Sequence, residues 1–411
     1  MNIILAVTGS IACYKSFDIA RALIKSGHKV RVVLTQGALE FLRPETFRYL
    51  GVEKVYLPTD DFMPSELSKS ETVLHIELAK WADKLIVAPL SANTLSRFAI
   101  GLTNDLLGSL FLALPKKPVI LFPAMNTQMW NAQRTQEHMN KLKELKHVSV
   151  VSPISGLLAC GDIGAGKFPE VAAVVDLIET ISPLSKKEDK IVITAGATAA
   201  PIDPVRYLTN PSSGKMGIAI AKAFLAEGYR VVVLVGHNCV PEIENLLGHP
   251  QLELIRTPTT ALMKEAALKH FPGAAAYIST GAIADIEFDA VTEKMKKESM
   301  TSGQLPYHQA ADILKEILNV KKTGQKVVSF AAETETTQEV FMEKMRRKPV
   351  DLMIGNKVAN GLIGGGPVEG FQRNEGTYYF VRSSEIQGPF NLTKDGLAQR
   401  LLAWYKGSVA W

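Results

Sequence analysis

The chain has 411 residues, 46% of them hydrophobic, and a net charge of +5. That length exceeds one ordinary core and predicts two domains, each burying its own. A charge spread so thinly, with no long basic run, excludes a strong field for nucleic acid and favours small anionic ligands held at local clusters.

In chain order, short Val/Ile/Leu runs predict strands at Asn2–Thr8, His28–Thr35, Lys84–Ala92 and Pro118–Ala124, with helices at Ile11–Ser26, Thr127–Lys146 and around Val171–Thr180. The apolar runs do not alternate with polar residues, the pattern of parallel strands covered on both faces. The first run stops at Gly9 and has no charged residues before it, so it reads as a buried strand and not a signal peptide. The polar, Pro-containing stretch from Ser182 to Lys190 is the best linker and sets domains at 1–185 and 186–411. A second α/β series then begins: strand Lys190–Thr194, helix Lys215–Glu227, strand Arg230–Val235, helix Thr260–His270 and strands Ala275–Ser279 and Lys326–Phe330. Thr377–Val381 predicts an edge strand and Lys394–Tyr405 a terminal helix, with no function legible in that tail. The fold class expected is α/β, two doubly wound Rossmann-like domains fused end to end. Cys13, Cys160 and Cys239 are too few and too far apart for a disulfide framework, and no segment approaches a membrane span. A reducing, cytoplasmic setting without nucleic-acid or membrane partners is expected.

Thr8-Gly9-Ser10-Ile11-Ala12 follows the first strand and opens a helix, so its N–H groups and the Ser10 hydroxyl can meet a phosphate. An ordinary βα turn is equally compatible. Ala88-Pro-Leu-Ser91-Ala-Asn93-Thr94 repeats the arrangement outside the carboxyl edge of the sheet, and two converging small-polar loops favour a nucleotide or flavin.

Together with Pro123-Ala-Met-Asn-Thr-Gln-Met-Trp130 and Leu158-Ala-Cys-Gly-Asp-Ile-Gly-Ala-Gly-Lys167, these segments resemble the motifs of the flavin-dependent cysteine decarboxylases, and within them the phosphopantothenoylcysteine decarboxylases. The resemblance implies a flavodoxin-like flavoprotein domain that oxidises the substrate thiol on FMN to a thiocarbonyl, loses CO2 and returns hydride. It implies that Cys160 donates a proton to carbon, that Asn126 binds the substrate carboxylate beside Met129, and that His75 activates the thiol or manages its proton. Gly9, Ser10, Thr35, Ser91 and Asn93 are the implied FMN contacts. A buried small thiol, a helix-capping Asn and a solvated His are the structural alternatives for Cys160, Asn126 and His75. Arg97, where Lys is expected, Asn104-Asp105 in place of Asp-Asp, and Leu90-Ser91 depart from the family pattern in the flavin site.

In the second half, Ser213, Gly214 and Gly217 can form a phosphate-approaching turn but do not make the GxGxxG pattern, so spacing alone leaves a nicotinamide domain open. The run Asp203 to Gly217 resembles phosphopantothenate-cysteine ligase, as do Ala282-Ile-Ala-Asp285, Glu293-Lys-Met-Lys-Lys297, Asp312-Ile-Leu, Phe330-Ala-Ala-Glu-Thr334 and Lys344 with Lys348. What this implies is attack of the 4'-phosphopantothenate carboxylate on CTP, an acyl-cytidylate on which Asn210 acts, and displacement of CMP by L-cysteine. Lys294 is the implied catalytic cation. Asp285, Asp312, Phe330, Lys344 and Lys348 complete the nucleotide site, and Mg2+ bridges the triphosphate through ligands the sequence does not identify. The resemblance also implies a homo-oligomer, with trimeric decarboxylase and dimeric ligase domains. A flavin-binding regulatory protein and another flavin/nicotinamide oxidoreductase are the competing classes; the first predicts no turnover and the second NAD(P)H consumption.

Overall fold

The computed structural model describes residues 1–62, 73–157, 163–296, 304–358, 373–383 and 385–408. It divides into two compact units, Met1–Lys186 with Glu244–Pro250, and Lys187–Ile243 with Gln251–Trp411.

In the first unit β1 (Asn2–Val7), β2 (Lys29–Leu34), β3 (Lys54–Tyr56), β4 (Lys84–Leu90), β5 (Val119–Pro123) and β6 (Val148–Val150) form a parallel sheet in the order β3-β2-β1-β4-β5-β6. The unbroken apolar runs follow from burial on both faces. Ile3, Leu5 and Val7 of β1 pack with Ile19, Leu23 and Leu177, whereas Ile4 and Ala6 pack on the other face with Leu78, Leu106 and Leu110. Each such Ile, Leu or Val side chain contributes about 1.5–3 kcal/mol by leaving water. A hairpin, β7 (Ile154–Leu157) and β8 (Ile163–Lys167), follows the sheet.

Two helices differ from expectation. Ile11–Ser26 opens as a 3-10 turn, Ile11–Lys15, and becomes α-helical over Ser16–Lys25. Thr127–Lys146 is broken at Ala132, whose extended backbone (φ −58°, ψ 134°) separates Thr127–Asn131 from Gln133–Lys143. The Gln136 side chain takes up the Trp130 carbonyl at 2.6 Å, a carbonyl that an unbroken helix would satisfy from its own backbone.

The second unit contains β9 (Lys190–Ala195), β10 (Ala199–Asp203), β11 (Arg206–Thr209), β12 (Arg230–Val235), β13 (Leu252–Arg256), β14 (Ala276–Ser279), β15 (Ile286–Phe288) and β16 (Tyr307–Gln309). It continues with β17 (Lys326–Glu333), β18 (Leu352–Lys357), β19 (Glu375–Val381) and β20 (Ile386–Thr393). Eight of these form one sheet, β13-β12-β9-β14-β17-β18-β19-β20, parallel as far as β18 and antiparallel after it. Thr377–Val381 is therefore not an edge: β19 lies between β18 and β20, and Tyr378, Phe380 and Val381 are buried. The edge is β20, whose Gly388-Pro389 resembles loop sequence but is tolerated where one side of the strand needs no donor.

Within the first unit, Lys84 donates to the carbonyls of Ile178 and Ile181 at 2.8 and 3.0 Å, closing the end of helix Val171–Thr180. Nearby His249 is only 4% exposed, and burial pushes its imidazole down to about 4, opposed by a hydrogen bond to the Thr180 backbone. The neutral form is the one that fits. Stability is thus complete above pH 6.5, the value of the unfolded chain, and falls as pH drops toward about 4, by up to about 3 kcal/mol. Denaturant unfolding at pH 7 and pH 4.5 should show that loss in the wild type and a smaller one in His249→Gln.

Candidate functional site

At the carboxyl ends of β1 and β4, Thr8 joins the two small-polar loops. Its hydroxyl donates to the Pro89 carbonyl at 2.8 Å and accepts the Ser91 N–H at 2.7 Å. Ser91 in turn caps helix Ala92–Ile100 by accepting the Thr94 N–H. Two adjoining clefts result, sharing Gly9, Ser91 and Asn93. One, of about 630 Å³, is lined by Ser10, Asn126, Met129, Lys167 and Phe168 among others; the second, of about 410 Å³, is lined by Thr35, Arg97, Asn104 and Asp105.

A Cβ on Gly9 would lie 2.9 Å from the Gly37 backbone, so only glycine allows this close approach. Ser10 lines the larger cleft, and its hydroxyl donates to the Ala124 carbonyl at 3.0 Å, which ties the first loop to the end of β5. Thr35 is buried beside the second cleft. Asn126 does cap a helix, accepting the Gln128 N–H at 2.8 Å, and it also faces the larger cleft. Its turn is gripped by β8. Gly166, at φ +126°, would place a Cβ 2.2 Å from the Met125 carbonyl oxygen, and one on Gly164 would meet Thr127 Oγ1 at 2.5 Å. Gly164 and Gly166 therefore have a packing requirement that the sequence alone did not reveal.

Cys160 itself lies outside the described residues, in the connection between β7 and β8. His75 sits in the first turn of helix Leu74–Trp81 with Nδ1 2.9 Å from both carboxylate oxygens of Asp61, and it lines neither cleft. Arg97, noted in the sequence only as a departure, makes a bidentate pair with Asp105 at 2.9 and 2.5 Å. Its Nε is buried without a hydrogen-bond partner among the described residues.

In the second unit, Gly214 (φ +74°) begins helix Lys215–Ala226, and Gly217 allows it to approach β9, since a Cβ there would lie 2.6 Å from that of Ala195. A cleft of about 110 Å³ beside this turn is lined by Ser212, Lys215, Thr280, Phe330, Tyr378 and Lys394, among others. Burial pushes the Lys394 ammonium down to about 8, with Lys215 adding to the effect, and pushes the Tyr378 hydroxyl up to about 12. Both come from the tail in which no function was legible.

The other residues expected at the nucleotide site form a lattice of charges near the end of β17. Lys348 pairs with Asp312 at 2.8 Å and Lys344 with Glu333. Burial, then Lys348, holds the Lys344 ammonium below the usual lysine value, against the attraction of exposed Asp285. Asn210 donates to the Ile283 carbonyl at 3.3 Å, which places it beside the Ala282–Asp285 segment. Lys294 is exposed on a loop whose next residue, Met295, is fixed on both sides: its N–H donates to Asp203 and its carbonyl accepts from Arg206. Burial raises the Asp203 carboxyl, but the N–H groups of Val205, Met295 and Arg206 outweigh it and hold it below the usual range. Among the described residues no cluster of three or more His, Cys, Asp or Glu side chains can hold a metal, and no helix is long and apolar enough to cross a membrane.

This architecture, a doubly wound unit with a cleft at its carboxyl edge followed by a second α/β unit, is matched by two family models. Residues 1–182 match the flavoprotein family and residues 186–407 the DNA/pantothenate metabolism flavoprotein C-terminal domain. The chain is 35% identical over 366 residues to the coenzyme A biosynthesis bifunctional protein CoaBC of Haemophilus influenzae, covering 88% of each. To the Bacillus subtilis protein of that name it is 36% identical over 367 residues, covering 88% of this chain and 87% of the other. A solved PPC decarboxylase mutant complexed with pantothenoylaminoethenethiol is 36% identical, covers 43% of this chain and 95% of its own, and superposes with a TM-score of 0.39. The chain belongs to the family of coenzyme A biosynthesis bifunctional proteins. It is an enzyme of coenzyme A biosynthesis that carries a flavoprotein decarboxylase and a ligase on one polypeptide.

Proposed function

We propose that residues 186–411 condense 4'-phosphopantothenate with L-cysteine at the expense of CTP, and that residues 1–185 decarboxylate the product on FMN to 4'-phosphopantetheine. The pair of clefts joined at Gly9, Ser91 and Asn93 carries this reading, because one is apolar enough for a flavin ring and the other polar enough for its phosphate. The buried Arg97 Nε–H, left without an acceptor, fits an anion in the smaller cleft. FMN, when bound, supplies the oxidant for the substrate thiol and returns the reducing equivalents after CO2 has left. Asn126 orients the substrate carboxylate, with Met129 against the substrate chain; His75 takes the thiol proton; Cys160 gives a proton to carbon. Since His75 lines neither cleft, it serves a site completed by a second subunit, in keeping with trimeric decarboxylase domains.

In the ligase, Lys294, Lys344 and Lys348 would hold the triphosphate of CTP by neutralising its charge, and Mg2+ brought by the nucleotide would supply the remaining positive charge. Asp285, Asp312 and Phe330 belong to the nucleotide pocket, and Asn210 acts on the acyl-cytidylate. The ligase domains pair as dimers, and the enzyme works in the cytoplasm without nucleic acid or membrane.

The flavin assignment is tested by equilibrium titration of the apoprotein with FMN and with riboflavin. Arg97→Met should weaken FMN binding by roughly 10- to 100-fold, the worth of a charge-assisted hydrogen bond to phosphate, and leave riboflavin almost unaffected. Equal weakening of both would remove the phosphate from the smaller cleft.

A further inference from the structure

We infer that Asp61 is a positioning residue for the decarboxylation, fixing His75 as the tautomer whose Nε2 accepts the substrate thiol proton. The inference rests on the assignment of His75 as that proton acceptor.

The geometry is specific. Both carboxylate oxygens of Asp61 lie 2.9 Å from His75 Nδ1, and Oδ1 also accepts the His75 backbone N–H at 3.2 Å. An ionised carboxylate only accepts hydrogen bonds, so Nδ1 must carry the hydrogen and, in the neutral ring, Nε2 the lone pair. Nε2 has no hydrogen-bond partner among the described residues. The Asp61 side chain is 5% exposed and that of His75 25%, so the pair is anchored at the carboxylate and open at the imidazole.

Surrounding contacts keep the carboxylate in place. Asp61 belongs to the 3-10 turn Asp60–Phe62. That turn is fastened by Asp60, which accepts the Leu57 N–H at 2.8 Å, and by the Leu106 N–H, which donates to the Pro58 carbonyl at 3.1 Å. Asp60 is thereby turned toward its own backbone, and among the described residues Glu77 is the other acidic group near this end of the His75 helix. Helix Leu106–Leu112, packed against the His75 helix, brings no titratable side chain to it. Among the described residues, Asp61 is thus the charged group in direct contact with the imidazole.

The chemistry that follows is a single proton transfer. The S–H bond of the substrate cysteine breaks, the proton moves to His75 Nε2, and the electron pair stays on sulfur as the thiolate. The imidazolium so formed is stabilised by the Asp61 carboxylate through the Nδ1–H hydrogen bond. Without the carboxylate the ring can present Nε2–H to the thiol, a donor where an acceptor is required.

The test uses the full-length, FMN-loaded enzyme with phosphopantothenoylcysteine as substrate, comparing wild type, Asp61→Asn and His75→Asn. Asp61→Asn should lower kcat for decarboxylation by ~100-fold or more with KM, bound flavin and the ligase partial reaction unchanged. In Asp61→Asn the His75 ring should shift toward the tautomer protonated at Nε2, which nitrogen-15 NMR reads. A purely structural role would lower kcat without changing which nitrogen carries the hydrogen. Asp61→Asn within twofold of wild type, while His75→Asn is inactive, would overturn the role of Asp61 alone. An active His75→Asn would instead remove the assignment of His75 on which the inference rests. Solid-state NMR of nitrogen-15 histidine-labelled wild type, with the His75 signal assigned by its loss in His75→Asn, reads the tautomer without altering Asp61. Protonated Nδ1 is expected, and a neutral ring protonated at Nε2 would refute the inference even if Asp61→Asn failed to fold.

Discussion

In Cys160→Ala, formation of 4'-phosphopantetheine is expected to fall by ~1000-fold while the CTP-driven condensation continues at the wild-type rate. Loss of CO2 from the oxidised substrate leaves a carbon that must be protonated before the product can form. A thiol S–H carries a proton it can deliver to carbon, whereas an alanine methyl cannot. The lesion falls after substrate oxidation, so phosphopantothenoylcysteine or its oxidised, decarboxylated derivative should accumulate, as liquid chromatography with mass detection would show. Among the described residues, Gly164 and Gly166 lock β8 onto the turn that carries Asn126. Wild-type product formation by Cys160→Ala would remove Cys160 from the mechanism.

Lys294→Gln is expected to produce the converse phenotype, a ligase slowed by ~100- to 1000-fold with flavin binding and decarboxylation intact. Departure of pyrophosphate from the α-phosphate concentrates negative charge on the leaving group, and removing a preorganised cation costs the transition state more than the bound triphosphate. The ammonium is exposed, but the backbone beside it is not free to wander: Asp203 and Arg206 hold Met295 from both sides. Glutamine keeps the length and polarity of the side chain and deletes the charge, so a coupled assay of pyrophosphate release reports the electrostatic contribution. An unchanged kcat would transfer the role to Lys344 and Lys348, which already sit in ion pairs with Glu333 and Asp312.

Much of this organisation was legible in the sequence, for identifiable reasons. Apolar runs such as Ile3 to Val7 and Val231 to Val235 announce strands buried on both faces, and the loops after β1 and β4 hold the small residues that a tight approach requires. Short strands without a distinctive pattern, β3, β6 and β13, were missed because pairing with longer neighbours holds them in the sheet. The inversion of edge and interior at β19 and β20 has a similar origin. The true edge, β20, contains Pro389, and an edge is where a strand accepts proline.

At the sites, motif order located Gly9, Ser91, Asn93 and Asn126, which the fold gathers at one cleft, but long-range partners were not visible. The pairing of Arg97 with Asp105 and of Asp61 with His75, and the arrival of Tyr378 and Lys394 beside the Gly214 turn, depend on where distant elements pack. No local periodicity carries that information. Ser10, placed at this cleft by the same motif order, likewise gains from the fold its bond to the Ala124 carbonyl.

The most direct measurement supplies the purified, full-length enzyme with 4'-phosphopantothenate, isotopically labelled L-cysteine and Mg2+, with CTP or ATP as the only nucleotide, and follows every pantothenate species by mass. The account predicts, with CTP, transient phosphopantothenoylcysteine followed by 4'-phosphopantetheine lacking the cysteine carboxyl carbon, with one CMP formed per amide. No amide with CTP, or amide formation that never proceeds to loss of CO2 in flavin-loaded protein, would contradict it.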